Sequence, residues 1–250
     1  MGAKLMTATK LKEVATKLDL YAIMGVAVPG AALLFGASLF VPQLKDLFAS
    51  KEFGVGNLGL FVVIAYVVGQ LTQVSGNVLE WLWWLPWGGK PTDWLRTHKK
   101  RWRWVKLLGL KTLVADEQAV AIEEQLAAKL GIARPLDIAV LDRHAWYGLT
   151  RQMHSAVAAA GRAGRVEKFN AIYGLSRGMC AALAVLAVAM QVHDLGLWRW
   201  SIASAAAGVA FLLRMHRFGK TYARELFVRF LQLPAGAPED KLTGGTEVKT

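Results

Sequence analysis

The sequence predicts an all-α membrane protein, with four transmembrane helices and a helical cytoplasmic domain inserted between helices 2 and 3. Three observations carry this expectation. Residues 53–79 hold no charged side chain, a run longer than the roughly 20 residues a helix needs to cross a hydrocarbon core of about 30 Å. The composition is 54% hydrophobic and 19% charged, with 10 Trp and a mean hydropathy of +0.33, too apolar and too rich in indole for an ordinary soluble domain. The 30 Lys and Arg are gathered rather than scattered, and basic residues accumulate on the cytoplasmic side of membrane proteins.

Residues 1–19 set Lys4, Lys10, Lys12 and Lys17 against Glu13 and Asp19, with Leu11, Val14, Ala15 and Leu18 at helical spacing. That pattern predicts a basic amphipathic segment on the cytoplasmic membrane surface. Residues 20–41 form a first uncharged span containing Pro29 and Gly30, residues that membrane helices tolerate. It is longer than the apolar core of a cleaved secretory signal, so it is expected to be retained. A connection holding Lys45, Asp46, Lys51 and Glu52 leads to the second span, 57–87, so that residues 20–87 contain transmembrane helices 1 and 2. The second span closes on Trp81, Trp83, Trp84 and Trp87, at the headgroup level that indoles favour. Pro86, Gly88, Gly89 and Pro91 then stop the helix.

Residues 88–168 are too polar for lipid and predict the helical cytoplasmic domain. One helix is expected to be N-capped by Asp116 and stopped by Gly131, and another to occupy 142–160 beyond Pro135. Gly161 and Gly164 interrupt the pattern before residues 169–213, a transmembrane hairpin of helices 3 and 4 that turns at His193, Asp194 and Gly196. The uncharged run 178–192 is short, so helix 3 must recruit the preceding FNAIYGLSR, which puts Arg177 at the membrane boundary. Residues 214–233 predict a basic cytoplasmic helix, and 234–250 have the composition of a disordered tail.

The N-terminal segment, the inserted domain and the C-terminal region hold 4, 15 and 7 of the 30 Lys and Arg. By the positive-inside rule all three lie in the cytoplasm. Much of the net charge of +12 is thereby accounted for.

In the second span Tyr66, Gln70, Gln73, Asn77 and Glu80 recur at steps of four and three, so they share one helix face. A polar side cannot face hydrocarbon without a partner. It serves either as glue between helices of one subunit or as the lining of a water-filled pathway. Arg177 has two readings as well: its charge snorkels to the interface, or it pairs with Glu80 as a latch between helices 2 and 3.

One basic cluster exceeds what topology needs. Lys99, Lys100, Arg101, Arg103 and Lys106 are interleaved with Trp102 and Trp104, which offers phosphates charge and bases a stacking surface. The same pattern also suits a juxtamembrane segment resting on anionic headgroups. Arg162, Arg165 and Lys168 border the third span and are candidates for either role.

Catalytic signatures do not survive inspection. Gly174, Leu175, Ser176, Arg177 and Gly178 match the nucleophile-elbow pattern, and Asp194 and His216 follow in chain order. The chemistry, however, requires a strand ending in a strained turn, whereas this match falls in a helix, where Gly174 and Gly178 suit close helix approach. Gly88, Gly89, Lys90, Pro91 and Thr92 resemble the end of a P-loop, but Pro91 stands where a magnesium-ligating Ser or Thr is required. The five His show no ligand spacing, and the single Cys180 rules out an intrachain disulfide. No enzyme activity, metal or cofactor is expected.

The order of GQLTQVSGNVLEWLWW, a proline-glycine turn, a basic insert and FNAIYGLSRG opening a terminal hairpin resembles small bacterial membrane effectors of anti-phage defence, the Hailong-type channel effectors, over residues 69–213. The resemblance implies a homo-oligomeric channel in the bacterial inner membrane. Its cytoplasmic part would bind a nucleotide or single-stranded oligonucleotide that holds it closed, and its opening would depolarise the cell. It also implies a protein partner encoded alongside. The expectation is thus an ion channel or pore effector whose partners are the lipid bilayer, its own copies and an anionic ligand. The alternative is a non-conducting membrane scaffold or assembly factor with a lipid-binding basic segment.

Overall fold

A computed structural model describes residues 25–49, 55–96, 113–130 and 136–234. The expected amphipathic segment 1–19, the start of the first span, Gly131, Pro135 and the tail from residue 235 lie outside these. The described residues are predominantly helical, with no strand among them. The α-helices are α1 (Gly25–Ala37), α2 (Pro42–Ala49), α3 (Val55–Trp84), α4 (Asp116–Leu130), α5 (Arg143–Ala159), α6 (Gly164–His193) and α7 (Trp198–Leu231). Short 3-10 turns occupy Pro91–Trp94, Ile138–Val140 and Leu195–Leu197.

The chain divides into two compact units, Met1–Gly89 with Glu167–Tyr222, and Lys90–Val166 with Ala223–Thr250. Three helical stretches are long and apolar enough to cross a membrane, Leu58–Trp84, Gly164–His193 and Leu195–Leu231, while Gly25–Ala37 is a shorter apolar helix. At 1.5 Å per residue the 27 residues of the first stretch extend about 40 Å, more than a hydrocarbon core requires.

In the first unit small residues set the packing, as expected where lipid tails offer no hydrophobic drive between helices. α1 and α3 cross at Gly30 and Gly69. A Cβ on Gly30 would run into the Ala65 carbonyl, and one on Gly69 into the Val26 carbonyl. Gly178 of α6 sits under the buried Pro29, where a Cβ would lie 2.8 Å from Pro29 Cγ. Gly174, in contrast, faces nothing within 4 Å, so of that pair only Gly178 serves close approach. α6 and α7 form a hairpin in which Asp194 accepts the Gly196 amide at 2.8 Å. The hairpin is cross-linked by Ser201 donating to the Ala187 carbonyl and Ser204 to the Leu183 carbonyl, each at 2.9 Å.

The second unit has a conventional aromatic and aliphatic core. Ile122 and Leu126 of α4, Trp146, Met153 and Val157 of α5, and Leu226, Phe227 and Phe230 of α7 are all buried. Trp146 donates its indole N–H to the Thr92 carbonyl at 2.9 Å. α5 starts at the N-cap Asp142, whose carboxylate accepts the Ala145 amide. It ends at Gly161, φ +70°, with Arg162 N–H bonded to the Val157 carbonyl and Gly161 N–H to that of Ala158, a Schellman termination.

One expectation changes here. Ala115, not Asp116, caps α4, because its carbonyl accepts the Ala119 amide while Gln118 Oε1 accepts the Ala115 N–H. Asp116 and Glu117 occupy the first turn, where the helix dipole favours negative charge. The basic segment 214–233 is continuous with α7, and its apolar face supplies Leu226, Phe227 and Phe230 to the second unit's core. Gln125 of α4 donates to both the Phe230 and Leu233 carbonyls at 2.9 Å, adding a second donor to Phe230, which also accepts the Leu233 N–H, and supplementing the backbone bonds at the helix end.

Candidate functional site: a buried ion pair between two long helices

The inward face of α3 is Ala65, Gly69, Thr72, Gly76, Glu80 and Trp84, all buried. Small side chains over most of that face let α6 approach. Gly76 leaves just enough room for Arg177, since a Cβ there would lie 3.2 Å from Arg177 Cγ. Arg177 Nη1 meets Glu80 Oε2 at 2.5 Å, with side-chain exposures of 21% for Arg177 and 3% for Glu80.

The pair is held from both sides. Arg177 Nη2 donates to Gln73 Oε1 at 2.9 Å, and Gln73 Nε2 donates to the Gly25 carbonyl of α1 at 2.9 Å. Tyr173, one turn before Arg177, donates its hydroxyl to Glu80 Oε1 at 2.7 Å and accepts the Trp84 indole N–H at 3.0 Å. A continuous polar chain therefore links α1, α3 and α6. Burying two charges costs several kcal/mol each unless geometry and added hydrogen bonds compensate, and here both carboxylate oxygens are engaged. Arg177 Nε is buried without a hydrogen-bond partner among the described residues.

Next to this network an aromatic box encloses His216 of α7. Trp84 stacks on the imidazole at 4.9 Å, Trp87 lies 4.8 Å away and tilted, and Trp83 meets it edge-on at 5.9 Å. Trp83 also donates its indole N–H to His216 Nδ1 at 3.3 Å, which requires an unprotonated Nδ1. Gly219 makes the fit possible: a Cβ there would lie 2.9 Å from the Tyr173 ring.

The remaining expected site residues fall in different places. Tyr66, Gln70 and Asn77 are exposed on a flank of α3, whereas Gln73 and Glu80 turn inward. Lys99, Lys100, Arg101, Trp102, Arg103, Trp104 and Lys106 lie outside the described residues. Arg162 donates to the Gln232 carbonyl at 2.7 Å, and Arg165 pairs with Glu225 at 3.5 Å. Both thus tie down the C-terminal part of α7 within the second unit. Ser176 is fully buried and donates to the Ile172 carbonyl at 2.7 Å, the back-bonding of a helical serine and not the posture of a nucleophile. No cluster of metal ligands occurs among the described residues.

Sequence reasoning missed Tyr173 and His216. Tyr173 had a usable signal, its position one turn from Arg177 on the same face. His216 meets Trp83 across 133 residues, and no local pattern announces such a contact. Comparisons with protein families, curated proteins and solved structures return no match.

Proposed function

We propose that the chain is one subunit of a homo-oligomeric ion channel or pore in the bacterial cytoplasmic membrane, gated by an anionic cytoplasmic ligand of the nucleotide or oligonucleotide class. In this reading four spans cross the bilayer and both termini and the second unit are cytoplasmic, in keeping with the distribution of Lys and Arg. The resemblance to Hailong-type effectors adds the biological setting, membrane depolarisation in anti-phage defence, and a partner encoded alongside.

The observation that carries the reading is the exposed flank of α3. Tyr66 is 40% exposed, and Gln70 and Asn77 are exposed at the same angular position, in the middle of a stretch long enough to span the membrane. An amide facing hydrocarbon costs several kcal/mol, so this flank needs water or another copy of the chain. Four spans in one subunit can scarcely surround a conducting pore, and a ring of subunits is the arrangement that supplies both.

The non-conducting scaffold is favoured by a different observation, the Glu80 and Arg177 pair, which is satisfied within one chain. Cysteine substitution separates the two. Cys180 is buried, so Gln70→Cys and Asn77→Cys are the reactive positions in otherwise unaltered protein. A channel predicts an oligomer in detergent, ion flux in liposomes, and block of that flux by a charged thiol reagent. A monomer without flux refutes the channel. An oligomer in which the two positions cross-link between copies and no flux occurs supports the scaffold.

A further inference from the structure

We propose that the outward flank of α5 is a docking surface for single-stranded nucleic acid, with Tyr147 stacking a base and Arg143 and Arg151 holding the neighbouring phosphates. The inference rests on the ligand-gated reading and names a surface for its ligand within the second unit.

α5 is fixed by its inner face, Trp146, Thr150, Met153 and Val157, all buried. At 100° per residue, Arg143, His144, Tyr147, Arg151 and His154 then fall within about 100° of one another, on a flank centred about 100° from the buried face. The first four are exposed and His154 is half-buried. The 17 residues of α5 contain no carboxylate. Asp142, immediately before the helix, accepts the Ala145 amide. Asp93 reaches Arg143 at 3.6 Å while leaving the Arg143 side chain 63% exposed.

Tyr147 and Arg151 are arranged as a unit. The guanidinium lies 5.8 Å from the ring centroid and its Nη1 donates to the phenol oxygen at 3.1 Å. An aromatic ring and a guanidinium held together in advance lose less freedom on binding, and the two supply what a single strand offers, π-faces and phosphates. Gly148 beside them faces open space. Arg143 and Arg151 are about 12 Å apart along the axis, an extended anionic site and not a point-like one, which favours an oligonucleotide over a lone phosphate. A lipid surface fits less well. Interfacial helices insert a broad apolar face, and Tyr147 is the one large apolar residue that α5 exposes.

The test uses the full chain in detergent and a fluorescent oligothymidylate about 12 nucleotides long, followed by anisotropy, with thymidine monophosphate as competitor and anionic phosphatidylglycerol vesicles as a separate arm. Tyr147→Ala should weaken binding at least about fivefold while Tyr147→Phe retains it, since stacking survives the loss of the hydroxyl. Arg151→Gln should reduce the dependence of log affinity on log salt by about 0.7. Both side chains face solvent, so unchanged thermal unfolding of the variants is the check on folding.

Three results overturn the proposal. Wild-type binding that all three variants leave intact places the nucleic acid elsewhere and leaves the gated channel standing. Variants that alter vesicle binding alone make the flank a lipid surface. A wild-type protein that binds no oligonucleotide removes both the surface and the ligand class, whereas ion flux measured in parallel tests the channel itself.

Discussion

Replacing Glu80 by Gln should damage the protein more than replacing Arg177 by Gln, although the two share one ion pair. The carboxylate is 3% exposed and the guanidinium 21%. Glu80→Gln keeps an acceptor for Tyr173 but strands the arginine charge, and a guanidinium cannot shed its proton. Removing one partner of a buried pair costs about 3–5 kcal/mol. The partial exposure of Arg177 points to the lower end, about 3 kcal/mol. In Arg177→Gln the remaining carboxylic acid becomes neutral by taking up a proton and still meets Tyr173, so the loss is nearer the cost of imperfect hydrogen bonding, about 1–2 kcal/mol. A chain of this size loses about 2–4 °C in Tm per kcal/mol. The two variants should therefore fall by about 6–12 °C and about 2–8 °C, in that order. Thermal unfolding in detergent followed by Trp fluorescence reads this directly, because Trp84 belongs to the cluster. The double variant Glu80→Gln with Arg177→Met removes the stranded charge and should melt above Glu80→Gln alone. Equal losses in the two single variants, or additive losses in the double, would refute a charge-compensated latch.

Other perturbations test the remaining packing. Gly30→Val drives a side chain into the Ala65 carbonyl and should cost about 1–3 kcal/mol, seen as a lower Tm. Gln125→Leu removes the side-chain donor to the Leu233 carbonyl and one of the two donors to the Phe230 carbonyl, which keeps the Leu233 N–H. That should destabilise the second unit by about 1–3 kcal/mol and raise hydrogen exchange over the last turns of α7. Asp93 has its pKa raised above 3.8, chiefly by burial and against the opposing pull of Arg143 and Arg96. The native state therefore binds this proton more tightly than the unfolded chain does. The Asp93 contribution to stability should increase as pH falls through the raised native value towards 3.8, and Asp93→Asn should abolish that increment in pH-dependent unfolding.

The presence of long apolar helices was legible because an uncharged run of membrane-spanning size is a local property of the chain. The Glu80 and Arg177 pairing was open to the sequence for a similar reason, as one acid and one base stand near the boundary of neighbouring spans. The packing of α3 was less accessible. Its polar residues mark one angular position, but its buried face is set by Ala65, Gly69, Thr72 and Gly76, about 80° around the helix. Between helices in lipid, closeness of approach decides the contact and polarity does not. The Tyr173 hydroxyl and the His216 box depend on three helices meeting, which no spacing within one helix encodes.

That offset gives α3 two separable tasks. Its inward face carries the glycine crossings and the ion pair, so substitutions at Gly69, Gly76 or Glu80 act on the stability of one subunit. Its flank carries Tyr66, Gln70 and Asn77, which are exposed in the single chain. Replacing Gln70 and Asn77 by Leu should therefore leave the unfolding of a dissociated subunit within about 0.5 kcal/mol of the native value, while changing assembly and ion flux. A loss of subunit stability comparable to that of Glu80→Gln would mean that the polar flank is an internal contact after all, and the argument for a multi-subunit pathway would lose its main support.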